Sequence, residues 1–213
     1  IAALLHKKKT GEGQYIDLSS SECLSVLVGP ELMEYTMNGR SPFRHGNEDA
    51  IMAPHNCYRT KGDDKWVSIA VATDEEWKAL CNVMENPDWA MDEKYGDAYS
   101  RWQNRKELDA HMSEWTKDYT HYEVMKMLQE AGVAAMPSFS AEEILTDAHT
   151  KDRELFTTVN YPALGDQTVM KPAWRFSETP ARIRKAGPLL GEDNDDVFGN
   201  LLGMPKEEIE RLK

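Results

Sequence analysis

Apolar residues recur at three- and four-residue steps along much of the chain, and at alternate positions over one short run. The first pattern predicts helices with one buried face, the second a half-buried strand. Residues 1–9 read as the end of a helix. Lys7, Lys8 and Lys9 sit where the negative end of a helix dipole would hold them, and Gly11 is the stop. Residues 15–17 form a short extended connector. A second helix is predicted from Leu18 or Ser19 towards Gly39, bent at Gly29-Pro30, with Cys23, Leu24, Leu27, Leu32 and Met33 on a buried face. Residues 38–50 are polar and contain Gly39, Pro42 and Gly46, so they read as a linker or site loop. Strands are predicted over 58–60 and 66–72, joined by a hairpin-type turn at Lys61-Gly62-Asp63-Asp64.

Three capping boxes mark helix starts further on: Thr73 with Glu76, Thr120 with Glu123, and Ser140 with Glu143. The first opens a helix with Trp77, Leu80, Cys81 and Met84 inward. A further helix is predicted over 101–116, with Leu108, Met112 and Trp115 inward. The second box opens a helix through Val124, Met127 and Leu128 that stops at Gly132, and the third a short helix to about Leu145. Strands are expected over 156–161 and 168–170, around Gly165-Asp166. Residues 176–187 read as irregular, and helices over 192–202 and 205–212 close the chain, with Pro205 acceptable in a first turn.

Composition narrows the function classes. The net charge of −12 over 213 residues argues against a duplex nucleic-acid binder and against docking on an anionic membrane surface. No apolar run approaches the roughly 20 residues of a membrane helix. Cys23, Cys57 and Cys81 show no C-x-x-C spacing, which argues against both a zinc site and a disulfide framework. Their odd number fits a reducing compartment, and the expected location is the cytoplasm. Ile1 stands inside a running helix with no signal peptide before it, so the chain is expected to be part of something longer.

The residues alone do not name a reaction. Gly11-Glu12-Gly13 is followed by Ile16 where a G-x-G-x-x-G loop needs glycine, and Ser19, Ser20 and Ser21 lie in no G-x-S-x-G elbow. Glu75/Glu76, Asp195/Asp196 and Glu207/Glu208 are adjacent and diverge on a helix, as solvated surface does. Trp66, Trp77, Trp102 and Trp115 fall on apolar stripes and read as core. Of six histidines, only His45 and His55 share a neighbourhood. That neighbourhood, Arg44-His45-Gly46-Asn47 through Ala53-Pro54-His55-Asn56, is the most site-like stretch, because binding groups concentrate on loops between ordered elements. It fits a binding loop and a solvated linker equally.

The order of several segments resembles one family. Thr10-Gly11-Glu12-Gly13-Gln14-Tyr15-Ile16-Asp17 after a helix, Tyr58-Arg59-Thr60-Lys61 before Trp66-Val67, Asn104-Arg105-x-Glu107-Leu108, Ala131-Gly132-Val133-Ala134-Ala135, Phe176-Ser177-x-Thr179-Pro180, Pro188-Leu189-Leu190-Gly191-Glu192 and Leu201-Leu202-Gly203 with Glu207-Glu208-Ile209 stand in the order of class III CoA-transferases, the carnitine/bile-acid-inducible group. The resemblance runs over essentially the whole chain.

It implies a small α+β domain plus helical segments of a Rossmann-like α/β large domain, in a homodimer of interlocked rings. The small domain would be residues 51–148. Residues 1–37 and 176–213 would belong to the large domain, with 38–50 a linker or site loop and 149–175 connecting strands. The implied reaction moves CoA from an acyl-CoA to a carboxylic acid through an aspartyl-CoA thioester. The nucleophilic Asp would lie upstream of Ile1, so no catalytic residue is assigned here, and Asp17 does not take that role. Gly46, Asn47 and Glu48 are the candidate substrate-binding residues, although no glycine run follows them as in the formyl-CoA branch. Thr73-Asp74 stands where the racemase branch has Glu-Pro, which disfavours the α-methylacyl-CoA racemase alternative. The other alternative is a non-catalytic structural or binding portion. CoA and its esters are expected as substrates, with no permanently bound cofactor and no metal.

Overall fold

A computed structural model describes residues 1–41 and 44–212; Pro42 and Phe43, within the linker predicted over 38–50, lie outside the described residues. The chain divides into two compact units, Ile1–Met136 and Pro137–Lys213.

The first unit opens with three helices, α1 (Ala2–Thr10), α2 (Ser20–Ser25) and α3 (Gly29–Asn38), the last two separated by a 3-10 turn at Val26–Val28. Gly11 ends α1 in the left-handed region at φ +81°, and its N–H closes on the Lys7 carbonyl. Ser19 caps α2 through the Glu22 N–H. The predicted long helix is therefore interrupted at 26–28, next to the expected bend. Its predicted burial is corrected. No residue of α2 or α3 is buried, and Leu24, Leu27, Leu32 and Met33 are all exposed. The stripe is real, but nothing within the described chain covers it.

The core of this unit is a three-stranded sheet with helices on one face. Strands β1 (His55–Arg59), β2 (Trp66–Ala70) and β3 (Ala134–Pro137) lie in the order β1-β2-β3. β1 and β2 are antiparallel, with Tyr58 opposite Val67 and Cys57 opposite Ser68. Alternation along the strands sends Tyr58, Val67 and Ile69 into the core and leaves His55, Cys57, Ser68 and Ala70 on the other face. Helices α4 (Asp74–Val83), α5 (Ala98–Gln103), α6 (Arg105–Thr116) and α7 (His121–Glu130) supply the rest. Trp77, Leu80, Leu108, Met112, Val124 and Leu128 pack on Val67 and Ile69 in one cluster. Two of the three predicted capping boxes form in this unit, Thr73–Glu76 on α4 and Thr120–Glu123 on α7. Trp77 is buried, and Trp89, Trp102 and Trp115 are half-buried against the cluster.

The elements of this unit depart from the sequence expectation in several places, and β2 stops at Ala70, short of the predicted 72. β1 begins at His55, three residues before the predicted strand. The helix expected over 101–116 breaks at Asn104, whose side-chain amide donates to the Ser100 and Lys94 carbonyls and takes the backbone out of helical geometry. β3 was not predicted at all.

The second unit holds α8 (Ala141–Thr146), α9 (Ala148–Asp152), an antiparallel hairpin of β4 (Phe156–Tyr161) and β5 (Gly165–Met170), a π-helical segment Asp195–Leu201, and α10 (Lys206–Leu212). Ser140 and Glu143 form the third capping box. The π-helical segment stands in place of the regular helix expected over 192–202. Among the described residues of this unit, Ile209 is the buried hydrophobic one.

Candidate functional site

The outer face of the sheet floors a cavity of about 620 Å³ lined by residues of β1, β2, β3, α7 and the loop 46–48. The sheet contributes His55, Cys57, Ser68 and Ala70 from alternate positions of β1 and β2, and Ala134, Ala135 and Met136 from β3. Gln129 reaches across from α7, its amide donating to the Ala135 carbonyl at 2.8 Å. All three candidates from the sequence, Gly46, Asn47 and Glu48, line this space.

The loop owes its course to a turn. Glu48 N–H closes on the His45 carbonyl at 3.1 Å, and Gly46 sits at φ +63°, where a side chain would be strained. The Asn47 carbonyl lies 2.6 Å from His55 Nδ1, which fastens the loop to β1. Asp49 turns its carboxylate onto the N–H groups of Ile51 and Met52, both at 2.9 Å, and these bonds hold its pKa below the usual carboxylate range. Glu48 accepts from Arg105 Nε at 2.8 Å. That hydrogen bond, reinforced by the guanidinium charge, lowers the Glu48 pKa too. Among the described residues, the one carboxylate lining the cavity is therefore ionised and already engaged, and it is not a free general base.

Asn56, between sheet and helix, donates to Asp109 Oδ2 at 2.9 Å and accepts from the Cys57 N–H at 2.8 Å. The buried Tyr58 hydroxyl donates to Asp109 Oδ1 at 2.5 Å; burial, then the Asp109 charge, drives its pKa upward, so it stays a neutral donor. The lining is thus mostly apolar surface with a few amide, hydroxyl and imidazole groups, a combination that orients a ligand by hydrogen bonds while burying its apolar parts. Sequence reasoning missed Arg105, Gln129 and the β3 residues. Arg105, Ala134 and Ala135 did stand in quoted family segments, but Glu48, the partner of Arg105, is far away along the chain.

A second cavity of about 500 Å³ lies in the other unit, among Arg153, Lys171, Trp174, Arg175 and Phe176. Among the described residues no cluster of three or more His, Cys, Asp or Glu could hold a metal ion, and no helix is long and apolar enough to cross a membrane.

Residues 1–194 match the sequence model of CoA-transferase family III. The chain belongs to that family. Its relatives include the alpha subunit of succinyl-CoA–L-malate CoA-transferase from Chloroflexus aurantiacus, 34% identical over 213 residues, which are all of this chain and 50% of that protein. Succinyl-CoA:mesaconate CoA-transferase from Haloarcula marismortui is 34% identical over 93% of this chain and 49% of its own length. Among solved structures, a CaiB/BaiF family protein from Brucella suis superposes with a TM-score of 0.79 at 26% identity, covering 94% of this chain and 51% of that one. The chain spans about half the length of these family III relatives. In family III terms, the chain contains a small α+β domain, and the cavity lies on the outer face of its three-stranded sheet.

Proposed function

We propose that this chain is the cavity-bearing part of an enzyme that moves coenzyme A from an acyl-CoA thioester to a carboxylic acid, with Gly46, Asn47 and Glu48 as its substrate-facing loop. The observation that carries the reading is the family III match over residues 1–194. The cavity supports it, because amide and hydroxyl groups over an apolar floor suit the amide-bearing arm of a CoA ester.

In this reading an Asp carboxylate outside these 213 residues attacks the thioester carbon. The C–S bond breaks, a mixed anhydride forms and CoA leaves as its thiolate. The thiolate attacks the aspartyl carbonyl of the anhydride, which frees the donor acid and leaves an aspartyl-CoA thioester. The acceptor carboxylate repeats the cycle in reverse, regenerating the Asp carboxylate and giving the new acyl-CoA. Hydrogen-bond donors aimed at the developing oxyanions would lower each barrier. The names of the relatives point to succinyl-CoA as the donor to try first. The reading also assigns residues 1–37 and 176–213 to a Rossmann-like large domain, the working form to a homodimer of interlocked rings, and the location to the cytoplasm.

The test uses the full-length protein containing this sequence, incubated with succinyl-CoA and a panel of acids including L-malate, mesaconate and glutarate. Transfer of CoA and trapping of an acyl-enzyme by hydroxylamine are expected, and the 213-residue chain alone should not turn over. Deuterium exchange at the α-carbon of the ester without any transfer would replace the reading with racemase chemistry.

A further inference from the structure

The outer wall of the cavity is fastened at one corner. Arg105 Nε donates to Glu48 Oε2 at 2.8 Å, and its guanidinium lies over the Trp102 ring at 4.4 Å. The Trp102 indole N–H donates to the Asp49 carbonyl at 3.1 Å. Two adjacent loop residues are thus held by a single stacked pair at the junction of α5 and α6. The two charged side chains keep only 26% and 31% of their exposure, so the pair is better shielded than an open surface contact.

The placement of the arginine is informative in itself. Arg105 is the first residue of α6, and no side chain caps that helix. A cation there meets the positive end of the helix dipole, which costs helix stability. What offsets that cost is the contact with Glu48 and Trp102. A planar guanidinium can donate in its plane while stacking through its face, and an ammonium cannot do both.

We propose that Arg105 is a positioning residue, which latches the Gly46–Asn47–Glu48 loop over the cavity and so sets how tightly a CoA ester is held. It touches no reacting atom. Its effect runs through Glu48 and the turn behind it. With the latch open, the loop would keep, among the described residues, the Asn47–His55 contact and the Trp102–Asp49 bond.

The identity of the ligand comes from the transferase reading above, so the experiment keeps the two separate. Amide hydrogen exchange is measured by NMR on the full-length protein and on R105A, R105K, E48A and the double variant E48A/R105A. The reporters are the Ile51 and Met52 amides, both bonded to Asp49, with Val67 and Ile69 as core controls. R105A and E48A should each speed exchange of the reporters by about fivefold or more, leaving the controls unchanged. The double variant should exchange no faster than either single one, because both remove the same contact. R105K should recover part of the effect. In steady-state kinetics with succinyl-CoA, R105A should raise KM by about fivefold and leave kcat within about twofold.

Unchanged exchange in R105A, or additive effects in the double variant, would overturn the latch. A released loop with an unchanged KM would overturn the positioning role. A wild-type protein that transfers no CoA would sink the transferase reading, and the exchange cycle would then decide the latch alone.

Discussion

Arg101 has a fully buried guanidinium in a chain whose other cations mostly face solvent. It donates to the Ala53 carbonyl and the Tyr95 carbonyl, both at 3.2 Å, and to Asp74 Oδ1 at 2.7 Å. Its plane also lies over the Trp77 ring at 5.3 Å. One side chain therefore joins the segment before β1, the start of α4 and the 3-10 turn at Glu93–Tyr95. Removing it leaves two carbonyls short of a donor in a space that water does not fill well, and an Asp without its partner. Truncation of a buried, hydrogen-bonded charge typically costs about 3 kcal/mol or more. R101A should lose about that much in urea unfolding, and R101M, which refills the volume but not the bonds, should recover only a fraction. A loss under about 1 kcal/mol would show that the three bonds are dispensable. None of this was legible in the sequence, where Arg101 read only as the beginning of a helix. Its partners at 53, 74 and 95 become neighbours through tertiary packing that no local pattern records.

The elements divide by how local their causes are. The capping boxes at Thr73, Thr120 and Ser140 were readable because both halves of each device lie within four residues, and all three form. The hairpin of β1 and β2 was readable from alternation around Val67 and Ile69. β3 was not, since Ala134 and Ala135 have little strand preference and the strand has only four residues. It forms because it adds to an existing sheet edge. That omission mattered for the site: the lining at Gly46 to Glu48 was readable from loop chemistry, while the lining at Ala134 to Met136 came from the unpredicted strand. The small residues of β3 keep the cavity open. Ala134 is exposed and borders it, so A134L would intrude on the space without overfilling the core. On the transferase reading proposed above, the full-length protein carrying A134L should show a KM for the CoA ester raised by about fivefold, with a urea midpoint near that of the wild type. An unchanged KM would mean that the ester does not use this wall.

At the scale of the whole chain, burial is uneven, and the sequence pattern could not have shown how. The period of three and four residues along α2 and α3 says that a face is meant to be covered, not what covers it. Within the described residues that face stays open at Leu24, Val26, Leu27, Leu32 and Met33. This accords with a chain about half as long as its relatives. The core cluster runs from Ala53 to Ala135 and belongs to the first unit, whereas the second unit buries Ile209 alone among its described hydrophobic residues. Apolar burial is the main favourable term in folding, at about 25 cal/mol per Å², so the two units should differ in stability as they differ in core. The tryptophans offer a direct reading. Five of the six, Trp66, Trp77, Trp89, Trp102 and Trp115, lie in the first unit and Trp174 in the second. Subtracting the urea titration of a W174F variant from that of the parent 213-residue chain isolates the Trp174 signal. Its midpoint should fall at least about 1 M urea below that of the remaining five, since a small core exposes little on unfolding and is lost first. Coincident midpoints would show instead that the second unit draws its stability from the large core, and that the two unfold as one cooperative body.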